Sequence, residues 1–162
     1  MNPSQSNTIP SVAYPTTCHN GGSLPCPTEQ TRLVAHRQPL LGRAPRTQNN
    51  LGLVLWDQGI RTGGEVGTGL LAAAAQAYRE ALTVQTKEQL PQDWARTQNN
   101  MGATLSDQGT RTGGEAGKVL IREAIKAYGL ALQIQTREAL PVQWELTMNN
   151  LEIVKKALQD MK

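Results

Sequence analysis

Paired carboxamides are the residues of this 162-residue chain best suited to recognition chemistry. Asn49-Asn50 returns as Asn99-Asn100 and again as Asn149-Asn150, at intervals of 50 residues. A carboxamide carries two N–H donors and a carbonyl acceptor, which complement the groups of a peptide backbone. Asn is a mediocre helix former, so adjacent Asn residues in three copies ask for a reason. One reason is a surface whose amides face the backbone of a bound peptide. The other is a ladder of Asn bonding between adjacent helices, and for Asn50, Asn100 and Asn150 both readings stand.

Other candidate chemistry is thinner. Cys18-His19 with Cys26 suggests a metal, but a structural zinc site needs four ligands at fixed spacings and His36 is the only further candidate. We read two free thiols and no metal. Gly113-Gly114-Glu115-Ala116-Gly117-Lys118 resembles a phosphate cradle at a helix start. A P-loop places a glycine five residues before its Gly-Lys glycine and Ser or Thr after the lysine, whereas this chain has Thr112 and Val119 there. The first copy has Thr68 in place of the lysine. Spacer glycines are therefore expected, with no cofactor. For catalysis, both His and both Cys precede residue 43, and the acidic residues are scattered. We expect no enzyme.

Positioning the Asn pairs is the task of an internal repeat. Residues 46–94 laid on 96–144 match at 28 of 49 positions without a gap. The pattern within each copy is helical. Pro45 suits a first helical position, and Thr47, Leu51, Val54 and Leu55 have the spacing of one buried stripe on a helix that ends at Gly59. A glycine-rich loop is expected over 60–69. A second helix follows, with the stripe Leu70, Leu71, Ala74, Ala77, Tyr78, Ala81 and Leu82, reaching about Glu88. Leu90-Pro91 stops it, because a residue before proline avoids the helical region. The second copy predicts a helix over 91–108, a loop over 109–117 and a helix over 118–138. Its stripe is Leu120, Ile121, Ala124, Ala127, Tyr128, Ala131 and Leu132. Gly129 takes the place of Arg79 within that helix, at a cost near 1 kcal/mol relative to Ala. Pro141 opens a fifth helix.

Residues 1–43 are rich in Pro, Ser, Thr, Asn and Gly, without sustained apolar periodicity, and read as a disordered tail. They carry a net charge of +2, from Arg32, Arg37 and Arg43 against Glu29. The remaining 13 basic and 12 acidic residues leave +1 for the repeat region, with no basic stripe for nucleic acid. No run approaches the roughly 18–20 apolar residues of a membrane span, and the N-terminus lacks a secretory signal. The default expectation is a cytoplasmic protein.

The chain resembles the tetratricopeptide repeat family. Leu51-Gly52 with Leu55, then Ala74, Tyr78 and Ala81, match its signature positions; so do Met101-Gly102 with Leu105, then Ala124, Tyr128 and Ala131. The period exceeds the family's usual one of about 34 residues by about ten in the glycine loop and about six before Pro91 and Pro141. In this it is similar to the long-period bacterial and kinesin-light-chain-like branches. The resemblance implies an all-α, right-handed α-solenoid of antiparallel helix pairs over 44–162. Repeat one would span 44–93, repeat two 94–143, and a capping helix 141–162. Glu152 and Lys155 replace the Gly and Leu of the other copies there, as suits an end facing water.

The family's first helices line a concave groove that binds peptides. By resemblance, Arg46, Asn49, Asn50, Leu53, Trp56 and Asp57 project toward that groove or its edge. So do Arg96, Asn99, Asn100, Ala103, Ser106 and Asp107, then Asn149, Asn150, Ile153 and Lys156. The family's clamp for chaperone C-termini uses Lys and Arg beside such an Asn; Gln48, Gln98 and Met148 argue against it. The expected partner is another protein or peptide. Two repeats and a cap fall short of the about three repeats usually needed for stability. Self-association into homo-oligomers, or membership of a longer array, is therefore the alternative.

Overall fold

A computed structural model describes residues 43–161. The expected tail over 1–42, with both Cys and both His, lies outside the described residues. The described chain is all-helical: α1 (Arg43–Thr62), α2 (Gly64–Leu82), α3 (Pro91–Thr112), α4 (Gly114–Ala131) and α5 (Pro141–Asp160). Arg43, expected in the tail, already belongs to α1. Pro91 and Pro141 each begin their helix at the first position, where a missing N–H costs nothing.

The glycine-rich loops expected over 60–69 and 109–117 are instead helix. α1 and α2 are separated by Gly63 alone, and α3 and α4 by Gly113 alone. The reversal takes two residues with positive φ, Gly63 (69°) with Gly64 (54°), and Gly113 (66°) with Gly114 (55°). Only glycine enters that region readily. Gly59, Gly67, Gly109 and Gly117 are not breakers but contact points. A Cβ on Gly59 would come within 3.0 Å of the Gly67 carbonyl, and one on Gly67 within 2.7 Å of the Gly59 carbonyl. Gly109 and Gly117 repeat this contact in the second copy. Lower down, a Cβ on Gly52 would lie 2.6 Å from the Tyr78 ring, and one on Gly102 3.0 Å from Tyr128. Residue numbers rise along one helix as they fall along the other, so α1–α2 and α3–α4 are antiparallel hairpins.

The second helices stop earlier than expected, at Leu82 and Ala131 rather than near Glu88 and Glu138. Turns held by bonds such as Gln85 N to Ala81 O (2.9 Å) and Leu90 N to Thr86 O (3.0 Å) follow. They turn Gln85 and Gln135 inward, where both are buried. A continued helix would carry these amides away from the partners described below.

The expected second-helix stripes are largely the core. Leu71, Ala74, Ala77, Tyr78 and Ala81 are buried, as are Ile121, Ala124, Ala127, Tyr128 and Ala131, while Leu70, Leu82, Leu120 and Leu132 are half-buried. The α1 stripe is not. Leu51 is 46% and Val54 54% exposed, Thr47 is exposed and Leu55 half-buried; Asn49, Gly52 and Gly59 are the buried positions. The equivalent residues Thr97, Thr104 and Leu105 are buried because α2 packs on α3. No described helix plays that part for α1. At the other end, α5 buries Thr147, Leu151 and Val154. It turns Glu145, Glu152 and Lys155 to solvent.

Two stability tests follow from this packing. Gly52→Ala forces a methyl into the Tyr78 ring and is expected to cost about 1–3 kcal/mol. Gly129→Ala meets nothing within 4 Å and is expected to stabilise by about 1 kcal/mol. Urea unfolding followed by far-UV circular dichroism checks both signs. Burial also pushes the Tyr78 hydroxyl up from 10.0 to about 12, opposed in part by its hydrogen bond with Thr104. Burial, with the Asp107 carboxylate, raises Tyr128 too. The folded value exceeds the unfolded one, so this contribution is complete below about pH 10 and is lost as pH climbs toward about 12. Urea midpoints are expected to fall over that window, and to fall less in Tyr78→Phe.

Candidate functional site

α1, α3 and α5 lie side by side and parallel, since Asn49 meets Thr97, Trp56 meets Asp107, and Asn99 meets Thr147. What holds them is a buried polar junction repeated twice. The Thr97 hydroxyl, fully buried, is 3.1 Å from Asn49 Oδ1 and 2.6 Å from Gln85 Oε1. In the second junction Thr147 is 3.0 Å from Asn99 Oδ1 and 2.6 Å from Gln135 Oε1. A hydroxyl has one proton and serves one acceptor at a time, while Gln85 Nε2 has no partner. With that amide turned end for end, Nε2 donates to Thr97, whose own proton then goes to Asn49.

Two further contacts tie the first pair of parallel helices. Trp56 Nε1 donates to Asp107 Oδ2 at 2.7 Å. Arg111 donates to the Gly59 and Ile60 carbonyls at 2.7 and 3.0 Å. Those carbonyls belong to the last turn of α1, which carries the negative end of the helix dipole, and the Gly59 carbonyl also accepts from Gly63 N at 3.4 Å.

The sequence-predicted site residues divide into two groups. Asn49 is 4% exposed, between helices rather than on a surface, and Asn99 is half-buried with its oxygen facing Thr147. The Asn ladder thus exists, but at Asn49 and Asn99. Asn50 is exposed and Asn100 and Asn150 half-buried, with Asn100 Nδ2 3.5 Å from Asn49 Oδ1. Asn149 is exposed, having no following helix to hold. Leu53 and Ile153 are exposed, and Ala103 between them is half-buried. Arg46 and Arg96 are exposed and share Asp93, at 3.7 and 2.7 Å. Thr97, Thr147, Gln85 and Gln135 were missed as partners of Asn49 and Asn99. Their signal was present, as Thr at two residues before each Asn pair and Gln at a constant place in the turn.

Two grooves flank this surface. One, about 520 Å³, runs along the uncovered face of α5 between Arg137, Trp144, Met148, Asn149 and Glu152. There the Arg137 guanidinium lies 5.7 Å from the Trp144 ring centre, a cation–π arrangement. The other, about 290 Å³, lies between α2 and α4 over Gln98, Met101 and Leu105, bridged by Arg79–Glu123 at 3.3 Å. Among the described residues no group of three or more His, Cys, Asp and Glu could hold a metal ion, and no helix is long and apolar enough to cross a membrane.

No family model matches this chain, and no curated protein or solved structure matches it either.

Thr97→Val keeps the shape of the junction but leaves buried amides without their hydroxyl. It is expected to cost about 1–3 kcal/mol, whereas Asn50→Ala, on the exposed side of α1, is expected to change stability by less than about 0.5 kcal/mol. Urea denaturation of the two variants beside the parent checks the contrast.

Proposed function

We propose that this chain is a protein-interaction module, an α-solenoid of tetratricopeptide type that binds an extended segment of a partner across α1, α3 and α5. The observation that carries the reading is the row Asn50, Asn100 and Asn150, accessible to different degrees on three parallel helices. Apolar Leu53, Ala103 and Ile153 lie three residues further along each helix. Amides spaced across such a surface can pair with successive backbone groups of a peptide while the apolar residues receive its side chains. Arg46 and Arg96, partly neutralised by Asp93, sit at one end of this surface and Asp57 and Asp107 toward the other. Asn49 and Asn99 serve the same function indirectly, by fixing the spacing of the helices. No catalytic step and no cofactor enters the proposal.

A second reading is self-association, favoured by the exposure of Leu51 and Val54 on α1. Sedimentation of the whole chain at rising concentration separates it from a monomeric module.

The peptide-binding reading is tested by selecting ligands for the whole chain from a displayed peptide library. Asn50→Ala with Asn100→Ala is expected to weaken the selected peptides by about tenfold or more, with the helical signal retained. Unchanged affinity in the folded double variant rejects it.

A further inference from the structure

The buried residues of α5 are Thr147, Leu151 and Val154, with Met148 and Leu158 partly buried beside them. The outer face of α1 carries Thr47, Leu51 and Val54, the same three residue types at the same spacing. Only α3 differs, with Thr97, Met101 and Thr104. Leu151 and Val154 pack beside Ile121, Ala124 and Tyr128 in the core, whereas Leu51 and Val54 are about half exposed.

We propose that α1 of one copy takes the seat of α5 on α4 of a second copy, so that α5 is a displaceable cap and the chain assembles head to tail. The proposal rests on the self-association reading and supplies its geometry. The incoming Thr47 would meet Asn99 and Gln135 as Thr147 does, and Leu51 and Val54 would fill the places of Leu151 and Val154. The new junction continues one already in the molecule, since α3 is seated on α2 through the same repeat positions while carrying α4 on its other face. α1 also brings a group that α5 lacks. Arg111 donates to the terminal carbonyls of α1, and Arg61 occupies the equivalent place one repeat earlier. On α4 of a second copy it would face the terminal carbonyls of α3. Met161 holds that position behind α5 and has no donor. Its methyl lies against Gly117, where Arg111 lies against Gly67.

α5 keeps its seat in a single copy because it is tethered through residues 132–140, which gives it a high effective concentration. The exchange is therefore favoured by high protein concentration or by a weakened α5. Each transfer exposes a new α5 and leaves another α1 face unused, so growth is heterologous and does not close on itself by necessity.

The test uses the full chain. Leu151→Asp weakens the seat of α5 without touching α1. At high micromolar concentration its average mass by sedimentation is expected to rise above the 17.6 kDa monomer in a concentration-dependent way. Adding Val54→Asp, at a position exposed in the monomer, is expected to restore the monomer. If Leu151→Asp unfolds, Val154→Ala reads the same equilibrium, with an association constant expected to rise about tenfold over the parent. The proposal is overturned if the folded weakened-α5 variants remain monomeric, as they would if residues 1–42 or another protein were the occupant of α1. It is overturned equally if they associate just as well with Val54→Asp present. Association of the parent chain that depends on Val54 but not on Leu151 or Val154 would leave self-association standing and remove the exchange.

Discussion

The structure depends on how closely two helices can approach when Cβ atoms are missing at the crossing. At Gly59 and Gly67, and again at Gly109 and Gly117, backbone meets backbone. About two helical turns away, Gly52 and Gly102 receive the rings of Tyr78 and Tyr128. These contacts set the separation of each hairpin, and the rest of the core is scaled to it. Ala74, Ala77, Ala81 and their equivalents fill the remaining space, in a chain with no Phe at all. A glycine in a helix interior costs about 1 kcal/mol relative to alanine. Dispersion contacts across a tight crossing offset it, because many small attractions are gained at once.

Between hairpins the logic changes from shape to polarity. Thr97 and Thr147 are fully or nearly fully buried, and each is met by an Asn from the preceding parallel helix and a Gln from the preceding turn. An apolar junction of the same size could be as stable. It would, however, tolerate sliding by a helical turn. A buried hydroxyl with two buried amides tolerates no such shift, because leaving a polar group unmet costs about 1–3 kcal/mol for each. The polar cluster therefore sets register, while Leu105, Ile121, Tyr128, Leu151 and Val154 belong to the buried apolar cluster.

The hairpin plan was legible because its signals are local. The repeated stripe around Tyr78 and Tyr128, Pro91 and Pro141 at helix starts, and the loss of Gly and Leu at Glu152 and Lys155 can all be read along the chain. The glycines misled because glycine has two uses that look alike in sequence. Gly63 and Gly113 reverse the chain through positive φ, whereas Gly59, Gly67, Gly109 and Gly117 are helical and needed for proximity. The distinction is tertiary. The same holds for the Asn pairs, where the periodicity announces two amides but not which one turns inward. A hundred-degree step around the helix separates Asn49 from Asn50, and it is the neighbouring Thr97 that decides between them. The apolar spacing of Leu51 and Val54 does not by itself give burial, which needs a second surface.

Because among the described residues α1 touches only α2 and α3, and α5 only α4 and α3, each described helix senses its immediate neighbours there. Such a chain behaves as a one-dimensional system, in which total stability is a sum of hairpin terms and junction terms. Loss of order then starts at an end and travels inward one junction at a time. α3, which contacts all four other described helices, is expected to open last, with the slowest exchange of its amide hydrogens with solvent.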